Sequence, residues 1–390
     1  MTSAAKPSTF FPMIDVLRGF AATSVIVYHV IEHFGWTSFP TSGPLSWFRI
    51  GWMGVDLFFV ISGFVIGLSA FGLVARAGPS AFRRPFMRRR LLRIVPLHYL
   101  TCAVFLVVLV PGLVSQPRFA WNLISHATFV HNLSRETHGA LNGVNWSLGT
   151  EMQFYLLVAA LGAWLARARW FWIALALVGA AWAYRLGAVT LVPAKGPLGP
   201  FPLFVAATQL PGMLDEFAAG LLFARLVTSP TGARWLAFGR RRPWVPALAA
   251  ALVLYGTLTI YWRWASFWDF PMMVIGFRTL LALSAVLVVA ATCVIDGPIT
   301  MMLTRPLRYL GVISYGLYLW HLLLIELVKR TPSVAPARAL LIVLPVTALL
   351  ASASWHLFEK PFVSPDGSWV ARARQRIWPA KPKVSPSLQS

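Results

Sequence analysis

Residues 52–74 read WMGVDLFFVISGFVIGLSAFGLV, an apolar run broken by a single charge, Asp56. A helix rises 1.5 Å per residue, so a run of this length crosses the ~30 Å hydrocarbon core of a bilayer. Working outward from it, comparable runs recur at 13–33, 91–112, 146–166, 170–189, 207–227, 244–262, 275–295, 307–328 and 338–357. The pattern predicts an all-α, polytopic membrane protein with about ten transmembrane helices. The stretch 118–133 (RFAWNLISHATFVHNL) is short and rich in His and Asn, and suits a re-entrant or interfacial helix better than a span.

Composition supports this reading. The 390 residues are 58% hydrophobic and only 12% charged, and mean hydropathy is +0.68. Soluble domains run near 25% charged, and disorder needs low hydrophobicity, so both classes are excluded. Eighteen Trp and nine Tyr fit aromatic belts at the two interfaces. The net charge of +22 comes from 34 Lys and Arg against 12 acids. The basic residues cluster between apolar runs, as in loops facing an anionic leaflet, and no separate basic domain points to nucleic acid. Cys102 and Cys293 both lie inside apolar runs and read as packing residues.

Lys and Arg in short loops set orientation. The loops carrying Arg83, Arg84, Arg88 and Arg89, then Arg167 and Arg169, Arg234 to Arg242, and Arg305 all fall on one side of a ten-span chain. A smaller set, including Lys329, Arg330 and Arg338, partly offsets the asymmetry. Both termini are expected in the cytoplasm, in the inner or plasma membrane. The first run carries Asp15, Arg18, His29 and Glu32, a poor signal-peptide core, and reads as a retained helix. The organisation expected is a cytoplasmic N-terminus over 1–12, one membrane domain over 13–361 and a basic, disordered cytoplasmic tail over 362–390.

Ionisable groups inside a membrane cost roughly 2.5–3.5 kcal/mol each on insertion scales, which makes them functional candidates. Arg18 and His29 are eleven residues apart, so they share a helix face to within about 20° and lie roughly 16 Å apart along the axis. With Asp15 and Glu32 they form a polar stripe expected to face a cavity. Asp56 is a carboxylate near one end of the second run, followed by Ser62, Gly63 and Gly67, small enough for close approach. Arg90 and Arg93, three apart near the start of the third helix, share a face. Their planar forks suit bidentate phosphate binding, and plain positive-inside topology is the alternative. Glu151 lies one turn after Ser147 in the fourth run. His321 and Glu326 sit in the ninth, where a structural role for the histidine is as good a reading as a chemical one. No Walker loop, GxSxG, HExxH, CxxC or DFG is present.

Taken together, IDVLRGFAATSVIVYH, GVDLFFVISGF, RRRLLRIVP, NWSLGTEMQFYLL, ISYGLYLWH and FEKP resemble, in order and over roughly 13–361, the acyltransferase-3 family of integral-membrane acyltransferases. The resemblance implies ten membrane helices and acyl transfer from cytoplasmic acyl-coenzyme A, commonly acetyl-coenzyme A, to a hydroxyl of an extracytoplasmic acceptor such as a cell-surface sugar. It matches Arg18 and His29 to the family's first-helix Arg–His motif, Arg90 and Arg93 to its Arg-x-x-Arg motif, and Glu151 to its Trp-Ser-Leu-x-x-Glu segment. Some members carry a fused esterase-like domain, and none is expected here.

Acyl transfer needs a base for the hydroxyl proton and donors for the oxyanion. His29 is the expected base, since an imidazole titrates near neutrality, with Glu151 and Asp56 the further candidate catalytic residues. Arg18, Arg90 and Arg93 are the expected donor-binding residues, reached from the cytoplasm, and no metal is expected. Two other classes compete. A transporter or flippase would also line a path with polar residues and would use broken helices, of which the sequence shows no evident pair. A non-catalytic scaffold leaves the Arg18–His29 stripe unexplained.

Overall fold

The computed structural model describes residues 11–295 and 297–363. Most of the expected N-terminal segment and the basic tail from residue 364 therefore lie outside the described residues. The elements run α1 (Ile14–His33), α2 (Met53–Ala77), α3 (Arg83–Val108), α4 (Phe119–Ala127), α5 (Trp146–Arg167), α6 (Trp170–Leu191), α7 (Phe201–Ala207) and α8 (Leu210–Val227). They continue with α9 (Pro230–Arg241), α10 (Trp244–Arg263), α11 (Arg278–Thr292), α12 (Pro298–Leu303), α13 (Arg305–Val312), α14 (Ser314–Lys329), α15 (Pro336–Ser354) and α16 (Lys360–Val363). Proline marks the first turn of α8, α9, α12, α13 and α15, where its missing N–H has no helical partner to lose. Ser229 caps α9 by accepting from the Gly232 N–H at 3.1 Å.

Among the described residues, eight helices are long and apolar enough to cross a membrane: α1, α2, α3, α5, α6, α10, Met273–Thr292 and Pro336–Val363. The expected ten differ from these at two places. The run 307–328 is a broken pair, α13 and α14, bent by 74°, which counts as a ninth if taken as one span. The run 207–227 is α8, as apolar on average as the spans around it but carrying three charges, Asp215, Glu216 and Arg225. Two of the three charges are paired inside the bundle, Asp215 fully buried against Arg185 and Glu216 3.5 Å from Arg278. The segment 118–133 forms only the nine-residue α4 and a 3-10 turn, as its length and polarity foretold.

The bundle closes around α2, which packs on α1, α5, α8 and α11. The α2–α8 contact is nearly backbone to backbone. A Cβ added at Gly63 would strike the Phe217 carbonyl, and one at Gly220 the Val60 carbonyl. Small residues drive helix association in lipid because no apolar gain separates protein from tails. Gly220→Ala should therefore destabilise the protein by about 1–3 kcal/mol, the usual range for overpacking. Thermal unfolding in detergent checks this, with a Tm below the wild-type value as the expected result.

Two π-helical turns interrupt the spans, Met273–Phe277 directly before Arg278 and Trp355–Glu359. Such turns gather at functional sites because the extra residue rotates the next side chains to a new direction. Here they deliver Arg278 and Glu359 into the interior.

Candidate functional site

Two cavities lie between α1, α2, α5 and α14. The first, about 750 Å³, is lined by His29, His33, Asp56, Arg278 and a wall of aromatic rings from Tyr28, Trp52, Trp146, Phe204, Tyr261, Phe267 and Trp268. The second, about 480 Å³, is lined by Arg18, Arg89, Arg90, Arg93 and Glu151 over an apolar floor that includes Phe58, Phe59, Val65 and Ile66. Val55 and Tyr318 line both, so the cavities meet at that pair. The Tyr318 hydroxyl donates to the Val144 carbonyl at 3.0 Å and lies 2.8 Å from Ser147 Oγ, which holds the ring at the junction.

His29 projects from near the end of α1 into the first cavity. Its Nδ1 is 3.0 Å from Nε2 of His321 on α14. The Val25 carbonyl, one turn back on α1, also lies beside the ring, and no further side-chain partner of His29 is found among the described residues. His321 is fully buried, with Nδ1 2.8 Å from the Tyr318 carbonyl and 3.3 Å from that of Leu317. One turn beyond His29, His33 Nδ1 is 2.9 Å from Glu326 Oε1, whose carboxylate also accepts from Lys329 Nζ at 3.3 Å. Asp56 is buried at 1% exposure and paired to the Arg278 guanidinium, which also lies 5.6 Å from the Trp52 ring. Held against Arg278, Asp56 ties α2 to the start of α11 and reads as an anchor between helices.

In the second cavity Arg90 makes no ion pair among the described residues, and its Nε is buried without a hydrogen-bond partner. It rests 5.7 Å over Phe86 and 6.0 Å over Tyr155. An unpartnered buried donor on a cation is costly unless an anion completes it. Arg93 is more occupied: it stacks at 4.8 Å on Trp355, donates to the Val312 carbonyl at 3.4 Å and lies 4.0 Å from the buried Glu359. Arg18 pairs loosely with Asp15 at 3.7 Å. Glu151 accepts from Ser62 Oγ and from the Tyr155 hydroxyl, both at 2.6 Å on Oε1. Four guanidiniums thus line this chamber with Glu151, while Asp15 and Glu359 stand beside two of them, Arg18 and Arg93.

The six expected site residues therefore divide, His29 and Asp56 in one chamber and Arg18, Arg90, Arg93 and Glu151 in the other. Glu151 does not share the chamber of His29. The expected stripe on α1 is incomplete: Arg18 and His29 line cavities, Glu32 is exposed to the outside, and His33 stands at the cavity mouth instead. Glu326 lies near the end of α14, half exposed, rather than deep. Arg278, Arg185, Asp215 and Glu216 were missed, although each is an ionisable residue inside an apolar run and the rule that selected Asp56 selects them too. Cys102 and Cys293 are buried free thiols, Cys102 accepting from Asn145 Nδ2 at 3.4 Å. Among the described residues, no three His, Cys, Asp or Glu side chains converge as a metal site.

Outside the spans, His138 is buried in the loop before α5, parallel to Trp146 at 6.0 Å and edge-on to Phe204 at 5.3 Å. Burial, and then the charge of His131, lowers its pKa from 6.5 to about 4. Between those values the unfolded chain binds the extra proton, so stability should be highest above pH 6.5 and fall as pH drops toward 4. His138→Phe should flatten part of that decline in a series of detergent melting curves. An unchanged pH dependence would show that the loop histidine is not buried neutral.

A family model described as an acyltransferase domain, acyltransferase 3, matches residues 11–356. A protein of the Acidianus two-tailed virus, ORF330, whose name assigns it provisionally to the acetyltransferases, is 28% identical over 81% of the chain and 84% of its own length. The peptidoglycan O-acetyltransferase OatA of Listeria monocytogenes is 25% identical over 90% of the chain, which spans 56% of that protein. The O-acetyltransferase OatA of Staphylococcus aureus is 29% identical over 38% of the chain and 24% of its own length. No solved structure matches significantly.

Proposed function

Because the chain belongs to the acyltransferase-3 family of membrane acyltransferases, we propose that it moves an acetyl group from cytoplasmic acetyl-coenzyme A to a hydroxyl of an extracytoplasmic sugar. The observation that carries this reading is the pair of chambers meeting at Val55 and Tyr318, one basic and one presenting the His29 imidazole. The coenzyme A phosphates dock on Arg90, Arg93 and Arg18, and the apolar floor takes the pantetheine arm. Trp52, Trp146 and Trp268 offer faces on which a sugar ring stacks. Acceptors named for relatives, such as peptidoglycan, make a cell-surface glycan the first substrate to test.

In the transfer, His29 Nε2 takes the hydroxyl proton as the oxygen attacks the thioester carbon. The C–S bond breaks, and the imidazolium returns the proton to the coenzyme A sulfur, so the products are ester and thiol. Holding both substrates across the junction supplies several kcal/mol through orientation. Membranes containing the protein, incubated with labelled acetyl-coenzyme A, should yield acetylated glycan by mass spectrometry. Label absent from glycans and lipids alike would remove the assignment.

Transport is the second reading, and one observation favours it: the α13–α14 pair is a broken helix. It requires movement of a polar substrate without coenzyme A, which vesicle flux measures directly. In either reading the distribution of basic loops supports a cytoplasmic location for both termini. A reporter active only outside the cytoplasm, fused after Ser390, should be silent, and a strong signal would mean an odd number of crossings.

A further inference from the structure

We propose that His321 is a positioning residue that fixes the tautomer of His29, holding the proton on Nδ1 and leaving Nε2 free for the acceptor hydroxyl. The inference rests on the reading of His29 as base and supplies what that reading lacks, a reason for the imidazole to present the right nitrogen.

With both rings neutral, hydrogen-bond accounting leaves one arrangement. Both groups near His321 Nδ1 are carbonyl oxygens, at 2.8 and 3.3 Å, and neither can donate. Nδ1 must carry the proton, so in the neutral ring Nε2 is an acceptor only. That Nε2 faces His29 Nδ1 at 3.0 Å, and the contact is a hydrogen bond only if His29 Nδ1 carries a proton. The lone pair of His29 is then on Nε2, the nitrogen that does not face His321. The backbone of α14 thus acts through His321 on a tautomer two rings away, alongside the Val25 carbonyl that lies beside the His29 ring. The ring centroids are 5.0 Å apart, and Tyr28 stands edge-on to His29 at 5.3 Å, so the imidazole is braced on two sides.

The two histidines are not interchangeable. His321 is fully buried with both nitrogens engaged, and it does not line the cavity. When His29 takes the acceptor proton, its Nδ1–H becomes a charge-assisted donor to His321 Nε2, a bond stronger in the transition state than before it. A third group orienting a base is the logic of a catalytic triad, here with a neutral acceptor in place of a carboxylate.

The test uses the full chain in membranes, with transfer of labelled acetyl from acetyl-coenzyme A into the membrane glycan fraction, together with ¹⁵N-histidine spectra. Gln at 321 puts an amide oxygen where Nε2 was, whereas Asn reaches only the place of Nδ1. His321→Gln should keep turnover within about tenfold, and His321→Asn and His321→Phe should lose it by about 10²-fold or more, as expected when a positioned base is disabled. KM for acetyl-coenzyme A should stay unchanged in all three. In the wild-type spectrum the His29 signal, assigned by its loss in His29→Gln, should show a protonated Nδ1 and a bare Nε2, and in His321→Asn a mixture of tautomers. Equal losses for Gln and Asn, or a wild-type His29 protonated on Nε2, would overturn the proposal. If His321→Phe does not fold, the Gln–Asn contrast and the wild-type spectrum still decide. Full activity in His29→Gln would remove the base and leave the tautomer measurement standing, so the two failures are separable.

Discussion

Replacing His29 by Gln should abolish acyl transfer while leaving the donor bound. Positioned general-base catalysis contributes typically ~10²–10⁴-fold, so a loss of at least about two orders of magnitude is expected for His29→Ala and His29→Gln alike. Gln can fill the space beside His321 and hydrogen-bond to it, yet cannot take the hydroxyl proton. Donor binding should persist because the guanidiniums line the other chamber. Expression level, a detergent melting curve and equilibrium binding of coenzyme A separate chemistry from folding. Near-wild-type turnover by a folded His29→Gln protein would sink the mechanism. Asp56 is already held by Arg278 and Glu151 faces the other chamber, so neither is placed to take over.

Arg90→Ala should weaken coenzyme A binding by about 1.5–3 kcal/mol, the range for hydrogen bonds to charged groups, or roughly 10–150-fold in Kd. Arg90 is the more available of the pair, with a buried Nε that nothing in the described protein completes. Arg90→Lys should restore binding only in part, since an ammonium has no planar fork. Arg93→Ala should differ in kind. It removes the partner of Glu359, a carboxylate at 3% exposure, and the cation stacked on Trp355, so a lower Tm is expected along with weaker binding. Titration calorimetry with coenzyme A, paired with melting curves, resolves the two effects. Normal affinity in a folded Arg90→Ala, Arg93→Ala double variant would reduce both residues to topology.

The helical, membrane-embedded class was legible because it rests on period and run length, which are local. So were the short 118–133 segment and the alignment of Arg18 with His29, which needs only 100° per residue. The count of spans was less legible. A count of charges along 207–227 does not show that Asp215 and Glu216 pair with Arg185 and Arg278, residues on other helices. Nor does hydropathy register the 74° break between α13 and α14, where Gly311 lets α13 lie against the Asp15 carbonyl of α1.

The individual site residues were equally visible, since a charge among Leu and Phe stands out wherever it lies. Their grouping was not. Asp56, His29 and Glu151 look alike as intramembrane polar groups, and the packing of α2 against α1, α5 and α8 divides them between two chambers. His321 was visible as a buried histidine with no assignable task, because its task depends on a partner 292 residues away in sequence. Periodicity and composition act along one chain direction and settle each helix by itself. Which nitrogen meets which carbonyl, and which arginine is left without a carboxylate, depends on distances between helices, and only their packing sets those.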